Sequence, residues 1–134
     1  LAVACAPDGR HAITGGSDMR ARLWSLETLQ QVGEELGPGG AVWAVAWSPD
    51  GARVATGSTR EGHGLMVFDA PSGLSPSELA PSTGRITGVA WSPDGAWLAA
   101  GGTDGMLRLY DARTLAWVRS LDASDAGAVM SVAF

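Results

Sequence analysis

Self-repetition constrains this chain more than any other feature. VAWSPDGA occurs at residues 45–52 and again at 89–96, and a related VACAPDGR stands at 3–10. The Pro-Asp-Gly triplets begin at Pro7, Pro49 and Pro93, spacings of 42 and 44 residues. A second landmark keeps the period: RLWS at 22–25, MVFD at 66–69 and RLYD at 108–111 put Ser25, Asp69 and Asp111 44 and 42 residues apart. VMSVAF at 129–134 starts a fourth copy, Met130–Phe134 corresponding to Leu1–Cys5. A fixed period of this size signals one supersecondary unit that cannot bury its apolar surface alone and must stack on its neighbours.

Within each unit the pattern reads as short strands between turns. Val45-Ala46-Trp47 and Val89-Ala90-Trp91 are apolar runs suited to a strand covered on both faces. In the Ser-Pro-Asp-Gly that follows, Pro presets φ, Asp bonds its own backbone and Gly takes the left-handed position, so the flanking runs form a hairpin. Asp8, Asp50 and Asp94 occupy the same place in this turn in all three copies. Further strands end at Leu23-Trp24, Val67-Phe68 and Leu109-Tyr110, and a more polar strand closes each unit, as in Ala116-Trp117-Val118-Arg119. No helical period competes. The expectation is an all-β chain of four-stranded antiparallel sheets stacked radially.

These residues resemble the WD40 repeat family. The SPDG turns, the Gly-Gly-Ser-Asp and Gly-Gly-Thr-Asp turns at 15–18 and 101–104, and the strand-ending aromatic-Asp pairs all match its pattern. The resemblance implies a β-propeller of four-stranded WD40-type blades, three per chain: blade 1 over about 1–33, blade 2 over about 41–80, blade 3 over about 85–121, and 129–134 as the first strand of a further blade. It also implies a hydrogen-bond network joining a His, a turn Asp, a hydroxyl and the strand Trp. Thr14, Asp18 and Trp24 supply three of its members in the first repeat. In the third, Asp104 is present but Ala100 and Tyr110 replace the hydroxyl and the Trp. The second lacks the turn Asp and has a longer turn, Ser58–Gly64. The family's Gly-His place holds Gly37-Pro38, Pro81-Ser82 and Ser124-Asp125, so these blades are expected to rest mainly on apolar packing.

Three blades do not close a ring, and an open arc exposes an apolar face at each end. Either the ring continues in a longer protein or copies assemble, a dimer giving six blades and a trimer nine. The surplus strand 129–134 would then either compete with the first strand of a neighbouring copy or simply reflect where the repeat boundary falls.

Composition excludes several function classes. A net charge of −5 and a pI near 4.8 argue against nucleic acid or an anionic membrane as partner. No apolar stretch approaches the roughly 20 residues of a membrane span. Cys5 is the single cysteine, so no internal disulfide forms, consistent with a cytoplasmic setting, and its apolar run suggests a small buried side chain. All nine basic residues are Arg, with no Lys or Asn, which points to a GC-rich, bacterial genome.

No catalytic constellation and no zinc-ligand spacing exist, because His11 and His63 stand in different turns and the periodic Asp residues serve periodic turns. No cofactor is implied: the Gly-rich stretches lack the following Lys-Ser/Thr and a helix. Asp18 and Asp104, with Asp8, Asp50 and Asp94, are read as structural turn residues. Trp24, Trp47 and Trp91 read as core, Trp97 and Trp117 as half-exposed on outer strands. Exposed aromatics and Arg are the usual binding anchors. Trp43, just before the second inner strand, with Arg60, His63, Arg85 and Thr87, are therefore the candidates for contact with a protein or peptide partner. The resemblance implies a non-catalytic interaction scaffold, such as the sensor or docking part of a bacterial signalling protein; the other reading is an array that assembles with itself.

Overall fold

The computed structural model describes residues 1–70, 75–79, 84–123, 125 and 127–134. Among the described residues twelve strands form three antiparallel sheets in chain order. The first holds β1 (Ala2–Cys5), β2 (His11–Gly15), β3 (Ala21–Ser25) and β4 (Gln30–Leu36). The second holds β5 (Val42–Trp47), β6 (Arg53–Ser58), β7 (Leu65–Asp69) and β8 (Ser77–Glu78), and the third β9 (Ile86–Trp91), β10 (Trp97–Gly102), β11 (Met106–Asp111) and β12 (Trp117–Asp122). Closing strands vary: β4 is the longest strand, β8 only a two-residue pairing.

The hairpins form where the Pro-Asp-Gly triplets require them. Gly9, Gly51 and Gly95 sit at φ of 66°, 71° and 71°, and each N–H returns to the carbonyl three residues earlier. Any L side chain would be strained there.

Sheets stack face to face, with β5 packed beside both β1 and β9. One core layer joins Ile13, Ala21, Leu23 and Leu36 of the first sheet to Val42, Val54, Met66 and Phe68 of the second. The other joins Ala55, Leu65, Val67 and Leu79 of the second to Ile86, Leu98, Ala100 and Tyr110 of the third. The run Leu65-Met66-Val67-Phe68 shows why its sequence does not alternate: successive side chains enter opposite layers, and all four are buried.

Two devices set the spacing between sheets. A Cβ on Gly15, Gly57 or Gly101 would run into Val42, Ile86 or Val129 of the next unit, so only glycine allows the approach. Trp47 Nε1 donates to the Ala4 carbonyl at 3.2 Å, and Trp91 Nε1 to the Ala46 carbonyl at 3.3 Å, each reaching back to the preceding sheet.

The first sheet departs from expectation on its outer face, which no other sheet covers among the described residues. Cys5 is exposed rather than buried, and Val3 is 70% exposed. Two tryptophans also differ: Trp43 lies inside β5, not before it, and Trp97 opens β10, a second strand rather than an outer one.

Candidate functional site

The two ends of the stack differ in chemistry. The Pro-Asp-Gly end satisfies itself. Asp50 and Asp94 each accept a 2.5 Å bond from the hydroxyl of Ser48 or Ser92, and then one from the backbone N–H of Ala52 or Ala96. The serine bond comes first in holding both carboxyls below the ordinary carboxylate range. In the first turn Ala6 replaces the serine. There the Arg10 backbone N–H, followed by the His11 ring, does the same for Asp8, with Nδ1 at 2.7 Å. His11 is thus the first residue of β2, paired and half-buried, rather than a turn residue. Between the second and third turns lies a groove of about 230 Å³, where the Arg53 guanidinium sits 4.9 Å from the centre of the Trp91 ring.

The opposite end, where β5 and β9 begin and β6 and β10 finish, carries all five candidate contact residues. Trp43 is 44% exposed at an irregularity in the β5–β6 pairing between Val42 and Ala44. Such bulges re-aim a side chain. Arg85 is exposed, and its backbone is pinned by Thr103, whose hydroxyl accepts its N–H at 3.0 Å and whose N–H meets its carbonyl at 3.0 Å. Thr87, two residues on, is half-buried and donates its hydroxyl to the Val129 carbonyl at 2.6 Å. Arg60 and His63 project from the long turn of the second sheet, and both reach Glu78 of β8, at 2.5 Å and 3.2 Å. The repeat correspondence aligns Trp43 with Leu1, Thr87 and Met130, and Leu1 and Met130 are each 62% exposed. This register position therefore presents Leu1, Trp43 and Met130 as exposed apolar side chains at this end, with the half-buried Thr87 as its polar member.

Asp18 and Asp104 are turn residues with a second duty that sequence reading missed. Each receives a backbone N–H, from Arg20 and Met106, and pairs with an arginine four residues on. Asp18 meets Arg22 at 2.7 Å, an interaction that holds its carboxyl low and raises the guanidinium, and Arg22 also reaches Glu35 at 2.7 Å. Asp104 meets Arg108 within the third sheet, where both side chains are about nine-tenths buried. The signal was available: the second repeat, which lacks the Asp, has Met66 in place of the arginine. Glu78 as the shared partner of Arg60 and His63 had no such signal, since it depends on the path of a long turn.

The family network survives in pieces. Trp24 Nε1 donates to Thr14 Oγ1 at 2.8 Å. In the second sheet Thr56 keeps the hydroxyl but Phe68 has no donor, and Thr56 Oγ1 is buried without a partner. In the third, Tyr110 keeps a donor but Ala100 has no acceptor, and the Tyr110 hydroxyl is likewise buried alone. Burial pushes the Tyr110 phenol up from its ordinary value. Pro81, Ser82 and Ser124, at the family's Gly-His place, lie outside the described residues.

Among the described residues no group of three or more His, Cys, Asp or Glu could hold a metal ion. Among the described residues no helix is long and apolar enough to cross a membrane. The profile of the family described as WD domain, G-beta repeat matches residues 1–25, 30–69 and 75–111. No curated protein matches the chain.

Proposed function

The chain belongs to the WD40 repeat family, and from that premise we propose that it is a non-catalytic scaffold binding a protein or peptide at the end that carries Trp43. WD40 repeats generally mediate protein interactions. One observation carries the choice of end: the other end spends its polar groups on its own turns, whereas this end holds Trp43 half-exposed on a rigid inner strand beside the strand bearing Arg85 and Thr87. A large aromatic with little freedom to lose, near an exposed arginine, suits a binding hot spot. The all-arginine basic set and single cysteine fit a bacterial, cytoplasmic signalling protein acting on a protein or peptide, not on nucleic acid or membrane.

Selection of displayed peptides against the chain tests this. Trp43→Ala should weaken the selected binders about 30-fold, some 2 kcal/mol, by titration calorimetry, while Trp117→Ala on the outer strand should leave them unchanged. Equal affinity for Trp43→Ala would move the site elsewhere.

The outer face of the first blade favours a second reading, self-assembly. Val3, Leu26 and Leu29 are 70%, 41% and 79% exposed there, on a face that the second and third blades bury. Solution mass by light scattering tests it: a discrete dimer or trimer supports assembly and a monomer removes it.

A further inference from the structure

The groove between the second and third Pro-Asp-Gly turns holds one cation that the turns do not use. Arg53 is half-buried there, and its guanidinium lies 4.9 Å from the centre of the buried Trp91 ring. Arg20, Arg22, Arg60 and Arg108 each face a carboxylate. The Arg53 fork, partly desolvated by the ring, has no acceptor among the described residues. A guanidinium already stacked on an aromatic face loses little freedom when it bonds a carboxylate in its plane.

The carboxylates of the same groove are only half spent. Oδ1 of Asp50 and of Asp94 takes both the serine hydroxyl and the backbone N–H of its turn. Among the described residues Oδ2 of each has no hydrogen-bond donor and no ion-pair partner. The Arg53 charge is felt by Asp50 but not by Asp94, which leaves Asp94 as the uncompensated anion. The repeat makes this groove singular. The place of Arg53, four residues after the turn proline, is His11 in the first repeat and Trp97 in the third. The His11 ring is spent on Asp8, so the first turn offers no free cation.

Charge and size decide what such a groove holds. A ligand that is only an anion meets the two aspartates, and one that is only a cation meets Arg53. A ligand carrying both signs satisfies both walls. The volume of about 230 Å³ lies below the roughly 300–1,000 Å³ of pockets for drug-sized ligands, which limits the occupant to about one residue. Pro49 and Pro93 add exposed apolar wall, suited to an aliphatic side chain.

We propose that this groove binds a small zwitterion of the α-amino-acid class, its carboxylate on the Arg53 fork and its ammonium on Asp94. The site lies at the opposite end from Trp43 and does not depend on the reading of that end. Two charge-assisted contacts in a solvent-open groove give weak binding, on the order of millimolar.

NMR titration of the isotope-labelled chain tests the proposal. The probes are L-leucine and two compounds that each keep one of its charges, isocaproate and isoamylamine. L-leucine should shift the Arg53 Nε–H and Gly95 N–H signals saturably, and either single charge should bind at least about ten-fold more weakly. Arg53→Gln and Asp94→Asn should each weaken leucine by about ten-fold or more. Asn keeps the Oδ1 acceptor, so the turn stands, and unchanged signals elsewhere in the spectrum check this. Should Asp94→Asn unfold the chain, Arg53→Gln and the two single charges still decide. No saturable shift overturns the proposal, as does unchanged affinity in a folded variant. Isocaproate binding as well as leucine overturns it by reducing the groove to a carboxylate site. Shifts confined to Trp43 and Arg85 overturn it by placing leucine at the other end.

Discussion

The first and third blades carry the same repeat, yet they are held in opposite ways. The first keeps the Trp24–Thr14 hydrogen bond and leaves its outer face open. The third has lost that bond, buries the Tyr110 hydroxyl without a partner, and is packed against the second by Ile86, Leu98 and Tyr110, all fully buried. A neutral hydrogen bond contributes about 1 kcal/mol net, and burying one large apolar side chain contributes about 2–3. A blade whose inner face is packed by such side chains therefore survives loss of the network. The network does not replace packing: the blade that retains it still exposes Val3 and Leu29.

The largest expected effect tests packing directly. Leu98→Ala, between the second and third blades, should cost about 2–5 kcal/mol, whereas Leu29→Ala on the open face should change stability by less than about 0.5. Urea unfolding at pH 7 measures both. A similar cost at Leu29 would mean that this face is covered in solution, as the self-assembly reading requires. The comparison must therefore be made at a concentration where mass shows a monomer.

A smaller effect separates the networks by sign. Thr14→Val takes the acceptor from Trp24 and should destabilise by about 1 kcal/mol, while Thr56→Val replaces a hydroxyl that has no partner and should be neutral or stabilising by about 1. Equal losses at both positions, in the same unfolding assay, would show that Thr56 has found a partner. Tyr110→Phe should behave like Thr56→Val, for the same reason.

The smallest effect is in the acid limb. Asp50 and Asp94 are held below the unfolded carboxylate value of about 3.9. Their contribution is thus complete above that value and is lost as pH falls through the lower folded value. The urea midpoint should drop as pH falls below about 4, and Asp50→Asn with Asp94→Asn should flatten that drop. An unchanged acid limb in the double variant would assign acid sensitivity to other carboxylates.

Much of the architecture was legible because it is local and repeated. Pro-Asp-Gly demands a hairpin wherever it occurs, and Val45–Trp47 and Val89–Trp91, apolar at every position, suit strands covered on both faces. The candidate surface was legible in part. Trp43, Arg60, His63, Arg85 and Thr87 could be named, but not that Glu78 ties Arg60 and His63, or that the Thr87 hydroxyl holds the terminal strand. Those contacts join residues 15 to 42 positions apart through turns without a repeat to predict them. His11 and Cys5 went astray for related reasons. His11 fills a vacancy created by Ala6, and Cys5 is apolar in pattern but has no neighbour to bury it.

By itself the sequence determined the repeat, its hairpins, the four-strand unit and the demand for neighbours on both faces, since turn chemistry and strand periodicity act within a few residues. Only the tertiary structure decided which face lacks its neighbour, which halves of the hydrogen-bond network stand alone, and where residues 129–134 dock. Each of these depends on what lies a whole repeat away in sequence and one sheet thickness away in space.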